Sequence, residues 1–356
     1  FNVELRLSCW NGIGMKASQR IATKYYKMAA DKGDPSSMYS YARMLENTEV
    51  CLFKENIPKY YKMAADNDNE EAIYKYATML DKGINVPENK EESIKYYKIS
   101  ANKGNEDAIL RLAEIFKKGD GVPINKEESL KYYKMMADKG ENFWIYTYAQ
   151  YLSEGEDFPS NKEEAIQYYK KAADNGHEES MLHYANMIES INKEEALKYY
   201  KKAADESNPE ACNCYGQKLE NGDGIPINKE EALRYYKEGA SAWNVQSVVN
   251  CARMYENGIG KEVDKTEALK YYTKAADLNS IIAIEKCAYM HENGIGTNVD
   301  KEKALSYYKE LTKREQSFEF LDKCASLFEQ RFGKSSKYFP NVDFENDTES
   351  IRKCAD

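Results

Sequence analysis

The chain has 356 residues, of which 31% are charged and 42% are hydrophobic, and its formal net charge at pH 7 is −9. This acidic balance argues against a general nucleic-acid-binding surface, because such surfaces rely on basic patches. No run of residues approaches the roughly 18 consecutive apolar positions of a membrane-spanning helix. The sequence therefore predicts that this chain neither crosses a membrane nor binds nucleic acid.

Paired tyrosines recur along the whole chain at a nearly constant spacing. The pairs begin at Tyr25, Tyr60, Tyr96, Tyr132, Tyr168, Tyr199, Tyr235, Tyr271 and Tyr307, in steps of 35, 36, 36, 36, 31, 36, 36 and 36 residues. A small residue follows each pair with the same period, at Ala42, Ala77, Ala113, Ala149, Ala185, Gly216, Ala252, Ala288 and Ala325. Two markers that share one period predict a solenoid of nine helical pairs.

The first helix of each predicted pair has nearly the same sequence every time. In the first copy, the apolar residues are spaced so that they lie on one stripe of an α-helix, namely Ala22, Tyr25, Tyr26, Ala29 and Ala30. Several copies begin with Asn-Lys-Glu-Glu, in which the Asn is a good N-cap and the second Glu fits a capping box. These N-caps are Asn89, Asn125, Asn161, Asn192 and Asn228, with Asp264 and Asp300 in the same place. Left-handed C-caps are predicted at Gly33, Gly104, Gly140 and Gly176.

The second helices are less regular but keep the period. Leu112 and Phe116 fall on one apolar face, and the Gly-Asp-Gly at residues 119–121 then predicts a turn before the next N-cap. Equivalent turns occur at Gly222/Gly224, Gly258/Gly260 and Gly294/Gly296.

Two copies depart from this pattern. The copies around Thr48 and Ser190 lack the Gly-x-Gly turn, and the second of them is five residues short. In the first, Pro58 stands where other copies have a mid-helix Leu or Ile. We expect that helix to start late or to be distorted, because proline cannot donate a helical hydrogen bond.

These motifs together resemble the Sel1-like repeat family, relatives of the tetratricopeptide repeats. One copy carries the family pattern at Ala108, Leu112, Ala113, Phe116, Gly119, Gly121, Val122, Asn125, Ser129, Tyr132, Tyr133, Met136, Ala137 and Gly140. Most copies have Ala where the family has a helix Gly, which Gly216 alone keeps. The resemblance covers about residues 1–332 and implies an all-α, right-handed α/α superhelical solenoid of about nine helix pairs over residues 15–332.

The resemblance also suggests how the two ends are organised. Residues 11–14 (Asn-Gly-Ile-Gly) match residues 293–296, and Gly12 precedes Tyr25 by the same 13 residues that separate Gly294 from Tyr307. Residues 1–14 are therefore expected to be the second helix and loop of an upstream repeat, so that the chain is a fragment of a longer protein. Residues 333–356 leave the period and are expected to form a polar cap or tail.

The sequence offers no constellation typical of catalysis or of cofactor binding. The Gly-x-Gly pairs follow helices rather than strands, which disfavours a phosphate site. His177 and His183 are six residues apart, which is not a ligand spacing on a helix. We predict no catalytic residue, no cofactor, no metal and no small-molecule substrate. The eight cysteines show no C-x-x-C spacing, which favours a reducing, cytoplasmic location.

Three cysteines share one helix position in successive repeats. Cys251, Cys287 and Cys324 stand where other copies have Tyr or Leu. Stacking would bring them near one another, which suggests either redox pairing or capture of a soft metal. The alternative is that each thiol fills a small slot in the core.

A ladder of basic residues follows the tyrosine pairs and is the main candidate for partner binding. Its members are Lys62, Lys98, Lys134, Lys170, Lys201 and Lys237. On stacked first helices they would form a basic stripe suited to an acidic or C-terminal-carboxylate peptide. The alternative is that the charges only solubilise the helices through i,i+4 pairs of the kind Glu-x3-Lys. The candidate pairs are Glu91–Lys95, Glu127–Lys131, Glu194–Lys198 and Glu230–Arg234.

Trp243 is the second candidate, because it replaces a helix-ending Gly and could anchor an interface. Packing on the next helix pair is the alternative, both for Trp243 and for Phe143 and Trp144 just past another such turn. The resemblance implies a non-catalytic scaffold or adaptor for a protein or peptide partner, as in ubiquitin-ligase complexes of endoplasmic-reticulum quality control or in signalling complexes. Two alternatives remain: a docking arm of a larger enzyme with an upstream catalytic part, and a hydrolase of the cysteine-rich bacterial type.

Overall fold

The computed structural model describes residues 19–46, 55–155, 158–315, 323–324 and 326–327, and it contains no β-strand within these ranges. The chain divides into two compact units, residues 1–172 and residues 173–356. The first unit contains α1 (Gln19–Ala30), α2 (Pro35–Glu46), α3 (Asn56–Asp66), α4 (Glu70–Lys82), α5 (Lys90–Asn102), α6 (Glu106–Lys118), α7 (Lys126–Asp138), α8 (Asn142–Glu154) and most of α9 (Lys162–Asp174). The second contains α10 (Glu178–Ile188), α11 (Lys193–Asp205), α12 (Pro209–Asn221), α13 (Lys229–Ser241), α14 (Val245–Asn257), α15 (Lys265–Asp277), α16 (Ile281–Asn293) and α17 (Lys301–Glu315).

The helices alternate in the way the sequence predicts. Odd-numbered helices carry the tyrosine pairs and are the first helices, whereas even-numbered helices are the second helices. Within each unit, consecutive helices pack against each other, and a second helix with the first helix that follows it makes the closest pair. The all-α helix-pair solenoid is therefore confirmed for the described residues. The predicted boundaries at residues 14 and 332, and the atypical loop near Thr48, lie outside them.

The predicted helix starts are confirmed by their hydrogen bonds. The N-cap side chains of Asn89, Asn125, Asn161, Asn192, Asn228, Asp264 and Asp300 each accept a bond from the backbone N–H three residues later. The capping box differs in one respect, because Glu92 accepts a bond from the Asn89 side-chain amide and not from its backbone. The Asn89 backbone N–H is already used, since it donates to the Leu80 carbonyl at 2.9 Å and so closes the loop between α4 and α5.

Glycine in the loops allows each loop to lie against the preceding repeat. Gly296 has a φ of +70°, and a Cβ atom there would lie 2.2 Å from the Lys265 carbonyl oxygen at the start of α15. No side chain fits at that distance, so the Gly-x-Gly turn sets how closely successive repeats approach. The helix-ending glycines Gly33, Gly104, Gly140 and Gly176 adopt the predicted left-handed conformation, with φ between 91° and 100°.

The two atypical copies are accommodated locally. Helix α3 begins only at Asn56 and has 11 residues rather than the usual 13, so Pro58 lies in its first turn, where no helical N–H bond is lost. The prediction of a late start is confirmed. In the short copy, α10 ends at Ile188, and Asn192 caps α11 while its backbone N–H donates to the Ile188 carbonyl at 2.7 Å.

The core consists largely of tyrosine and alanine. The second tyrosine of a pair is buried in every described copy; Tyr61, Tyr97 and Tyr236, for example, are at most 1% exposed. Alanines one turn later, such as Ala64 and Ala203, are fully buried and let the facing helix approach closely. The prediction that the tyrosines act mainly in packing is therefore confirmed for the second tyrosine of each pair, whereas among the first tyrosines Tyr25 is exposed. A buried tyrosine removes roughly 150–250 Å² from water, and most of the stability of each repeat comes from this burial.

Gly216 tests how closely these helices approach, because a Cβ atom there would lie 2.7 Å from Cε1 of Tyr236. We expect Gly216→Ala to lower the free energy of unfolding by about 1–3 kcal/mol through overpacking, although alanine is favoured over glycine in a helix by about 1 kcal/mol. Urea denaturation measures the change. As a control, the loss is expected to shrink in a Tyr236→Leu background; an additive pair of effects would contradict the close contact.

Candidate partner-binding surface

In five of the described copies, the first tyrosine of the pair joins its helix to the first helix of the preceding repeat. The hydroxyl of Tyr96 donates to the Asp66 carboxylate at 2.7 Å, across a sequence separation of 30 residues. The same bond joins Tyr60 to Asp31, Tyr168 to Asp138, Tyr199 to Asp174 and Tyr235 to Asp205. Each Asp stands six residues after the first tyrosine of its own copy, usually in the sequence Ala-Ala-Asp. The exposed edge between neighbouring first helices is therefore a row of Tyr–Asp bonds.

The same tyrosines meet a second aromatic ring on the second helix that precedes them. Five of them make edge-on contacts, with ring centroids 4.7–5.0 Å apart and interplanar angles of 74–90°. These pairs are Tyr60 on Tyr41, Tyr96 on Tyr76, Tyr168 on Tyr148, Tyr199 on Tyr184 and Tyr235 on Tyr215. Edge-to-face packing leaves each hydroxyl at the rim, where it reaches the Asp.

In three copies the first tyrosine turns instead to stack flat on an aromatic ring one turn further along the second helix. These are Tyr132 on Phe116, Tyr271 on Tyr255 and Tyr307 on His291, with interplanar angles of 7–18°. In these copies the usual tyrosine of the second helix is replaced by Leu112, Cys251 or Cys287. The flat stacking thus goes together with a smaller residue at this position.

Two of the three cysteines therefore have a structural explanation, whereas Cys324 is only partly buried. Cys251 and Cys287 are fully buried free thiols at the position where other copies have a tyrosine. Burial raises the pKa of Cys251 to about 12 and that of Cys287 to about 11, so the reactive thiolate is scarce at neutral pH. Among the described residues, no group of His, Cys, Asp and Glu could hold a metal ion. These observations favour the core-slot interpretation over redox pairing.

The second tyrosine of a pair belongs to a separate network that the sequence analysis missed. Tyr236 donates to the Glu220 carboxylate at 3.0 Å, and Arg253 of the next second helix donates to the same carboxylate at 2.6 and 2.8 Å. Burial alone would raise the pKa of Glu220, but the bonds from Arg253 and Tyr236 outweigh it and hold that pKa below its usual value. Related trios are Tyr97–Asp81–Arg111, Tyr200–Glu189–Lys218 and Tyr272–Glu256–Lys286.

A signal for this network was present in the sequence. Glu220, Glu256 and Glu292 follow one another at intervals of 36 residues, and each lies 16 residues before the second tyrosine that it binds. Acidic residues near helix ends are usually solvated, so their shared period with the tyrosines was the only indication of burial.

The lysine ladder lies at the junction between successive first helices. In the first unit, three of its members pair with the capping glutamate of the next first helix, namely Lys62 with Glu92 at 3.2 Å, Lys98 with Glu128 at 4.0 Å and Lys134 with Glu164 at 2.6 Å. Each also lies 5.3–5.8 Å from the centroid of an aromatic ring, namely Tyr76, Phe116 or Tyr168. These lysine side chains remain 44–46% exposed.

The other ladder residues have varied surroundings. Lys201 pairs with Asp205 of its own helix at 2.6 Å, and the Lys237 ammonium lies 5.3 Å from the Tyr255 ring centroid. Lys170 also has an interaction partner. The lysines of the ladder therefore alternate with carboxylates on the surface of the first helices. These carboxylates partly neutralise the positive charge of the ladder.

The predicted i,i+4 pairs are only partly correct. Glu91–Lys95 and Glu194–Lys198 form, at 2.9 and 3.1 Å. Lys131 pairs instead with Glu128 at 3.0 Å. Arg234 lies nearest Glu231 and Glu238, at 3.7 and 3.9 Å, rather than Glu230. The N3 glutamate is the nearer partner because positions i and i+3 are also neighbours on a helix surface.

Trp243 occupies the turn between α13 and α14 with its side chain in solvent. The residue is 63% exposed, so the packing alternative does not describe it. Its φ is +65°, in the left-handed region that costs a non-glycine residue about 1 kcal/mol or more. The Lys274 ammonium lies 4.7 Å from the indole ring and donates to the Ala240 carbonyl at 2.6 Å. Phe143 is exposed to the same extent and rests edge-on against Trp144.

Two depressions on the described surface are open to solvent and lined largely by charged side chains. One in the first unit is lined by residues that include Asp66, Glu91, Lys95 and Tyr96. One in the second unit is lined by residues that include Glu194, Lys198, Lys201 and Asp205. Both lie on first helices. None of the described helices is both long enough and apolar enough to cross a membrane.

This arrangement of stacked helix pairs is that of an α-solenoid repeat protein. Comparison with known families identifies the type of repeat. The Sel1 repeat model matches residues 4–34, 70–105, 106–141, 145–177, 181–208, 209–242, 246–280 and 281–313. These eight matches cover well over half of the chain, which therefore belongs to the Sel1 repeat family. Residues 35–69 are not matched, yet α2 and α3 lie within this stretch and the pair Tyr60–Tyr61 is buried. Sel1 repeats generally serve as protein-interaction scaffolds.

Two solved structures share the fold. A Sel1 repeat protein from Oxalobacter formigenes is 22% identical, with a TM-score of 0.66 over 90% of this chain and 93% of that one. A protective antigen of uropathogenic Escherichia coli with an SLR fold is 20% identical, with a TM-score of 0.55 over 92% of this chain and 72% of that one. Comparison with curated proteins found no significant match.

The nearly buried carboxylate of Glu220 gives a prediction about pH. We expect Glu220→Gln to lower the free energy of unfolding at pH 7 by about 1–3 kcal/mol. Because the pKa of Glu220 is lowered by folding, its contribution is complete above the unfolded value of about 4.3 and is lost as the pH falls through the folded value. Denaturation at several pH values measures both effects. Glu194→Gln, at a side chain that is 84% exposed, is the control and should change little.

Cysteine reactivity tests the core-slot interpretation. In the folded protein, Cys251 and Cys287 should react with a thiol reagent far more slowly than in denaturant, because both are fully buried. Mass spectrometry of labelled peptides distinguishes the individual cysteines. Rapid labelling of both residues without unfolding would contradict the interpretation.

Proposed function

We propose that this chain is a non-catalytic scaffold that binds an acidic protein or peptide segment on the exposed face of its first helices. Support comes from the fold, which repeats one surface many times, and from open charged depressions on that surface. The described cysteines are free thiols, which supports a reducing, cytoplasmic location. They also lack the disulfide pairing on which the hydrolase alternative depends.

The observation that carries the proposal is the placement of Lys98 and Lys134. Each ammonium is held near an aromatic ring and a glutamate, so its position is restricted before any partner binds. Each side chain is nevertheless close to half exposed. An ammonium has three donors and can bind a second carboxylate in addition to its glutamate. Pre-positioned cations at successive repeats suit a segment with regularly spaced acidic residues.

A paired charge reversal tests this surface. Lys98→Glu with Lys134→Glu is expected to reduce capture of an acidic partner by tenfold or more at low salt, and the loss should be smaller at high salt. The measurement is a pull-down by the purified protein, followed by affinity determination for a captured peptide. Circular dichroism confirms that the helices remain, since the new glutamates face Glu128 and Glu164.

The matched control is Lys95→Glu with Lys131→Glu. These lysines lie on the same two helices, α5 and α7, and their side chains are 67% and 71% exposed. The control variant therefore changes the net charge of the same helices by the same amount. The proposal requires binding to survive in this variant. Equal loss in both variants would indicate attraction by net charge alone, and unchanged binding in both would remove the ladder as a binding surface.

A further inference from the structure

One edge of the second unit combines two departures from the favoured local pattern, namely a strained backbone and exposed apolar residues at helix starts. This edge consists of the turns that connect each first helix to the next second helix, together with the start of that second helix. We infer that Trp243, Val245, Ile281 and Ile282, here called the Trp243 edge, form an anchor site for a peptide segment that presents an apolar side chain next to a carboxylate. The inference rests on the proposed scaffold function and names the partner of one site within it.

The first departure is the backbone of Trp243. Equivalent turns have glycine at Gly33, Gly104, Gly140 and Gly176, or the small or polar residues Asp68, Ser207 and Asn279, all with positive φ. A bulky aromatic residue is the least suited to that conformation. The residue is 63% exposed, so burial offsets little of the strain. Residues held in unfavourable conformations without a folding benefit concentrate at functional sites.

The second departure is the start of α16, one repeat further on. Three other second helices begin with acidic pairs, such as Glu70 and Glu71 in α4, which the helix dipole favours, whereas α2, α8 and α14 have no acidic residue in their first turn. Helix α16 begins with Ile281 and Ile282, which are 40% and 59% exposed, and no acidic residue lies in its first turn. Its N-cap, Ser280, makes no capping bond with its side chain. Adjacent repeats thus give up local stability on the same edge.

The charge at this edge indicates the partner. Helix α14 also lacks an acidic residue in its first turn, and it begins with Val245, which is 37% exposed. Lys274 places a cation on one face of the Trp243 indole. Since the first turns of α14 and α16 carry no carboxylate, the cation is complementary to an acidic residue of a ligand. An apolar side chain of the ligand then covers the remaining indole face and the isoleucines.

The site is tested with a fluorescein-labelled peptide, Gly-Ser-Glu-Leu-Phe-Ser-Gly, and fluorescence anisotropy. The unaltered protein should bind it more tightly than the peptide in which Lys replaces Glu and the peptide in which two Ser replace Leu-Phe. Trp243→Gly should weaken binding by at least about tenfold, as for an aromatic anchor. The same change should raise the melting midpoint by about 1–3 °C, because glycine adopts the positive φ without strain.

Phe143→Ala is the matched control, because Phe143 is equally exposed but belongs to the first unit and has a rigid neighbour in Trp144. It should leave peptide affinity unchanged. A lower melting midpoint in Trp243→Gly would show that the residue stabilises the fold and would overturn the inference. Equal affinity for the three peptides, or unchanged affinity in Trp243→Gly, would overturn it as well. Neither result affects the ladder, because Lys98 and Lys134 are tested separately in the other unit.

Discussion

The structure depends on burying a tyrosine whose hydroxyl must still find a partner. An alanine-rich helix pair cannot cover its own apolar face, and tyrosine supplies the large area that the alanines lack. Burial of the ring, however, leaves a polar group in a place with little water, where an unpaired hydroxyl is costly. Carboxylates satisfy this need at both positions of the pair, as Asp66 does for Tyr96 and as Glu220 does for Tyr236.

The two carboxylates have different consequences. Asp66 belongs to the preceding first helix, so its bond links one repeat to the next at the exposed edge. Glu220 lies on the second helix and also receives Arg253 from the following repeat, so three helices share one nearly buried charge. Such a charge is stable only while both donors are present. The bonds between repeats are therefore side-chain bonds as well as apolar contacts, and they require each repeat to have the correct neighbour.

A regular array also makes exceptions informative. The cysteines looked unusual in the sequence, yet Cys251 and Cys287 occupy buried positions next to tyrosines that stack flat on the second helix. Trp243 looked equally unusual, and nothing in the packing accounts for it. From the sequence alone, an unusual residue that fills the core cannot be distinguished from one that strains the surface. The difference between them is whether the residue is buried in the folded chain.

The sequence by itself determined the repeat, its period, the helix caps and the late start of α3, because each follows from local hydrogen bonding and from a 3.6-residue pattern. It also predicted that the tyrosines act mainly in packing, which holds for the second tyrosine of every described pair. Only the tertiary structure decided which charges pair, since Glu128 meets both Lys98 and Lys131 across different helix faces. It likewise decided that Trp243 is exposed while Cys251 is not. These outcomes depend on contacts between residues about 30 positions apart. The repeat period indicates that such residues are neighbours, but local sequence patterns do not determine how their side chains are oriented.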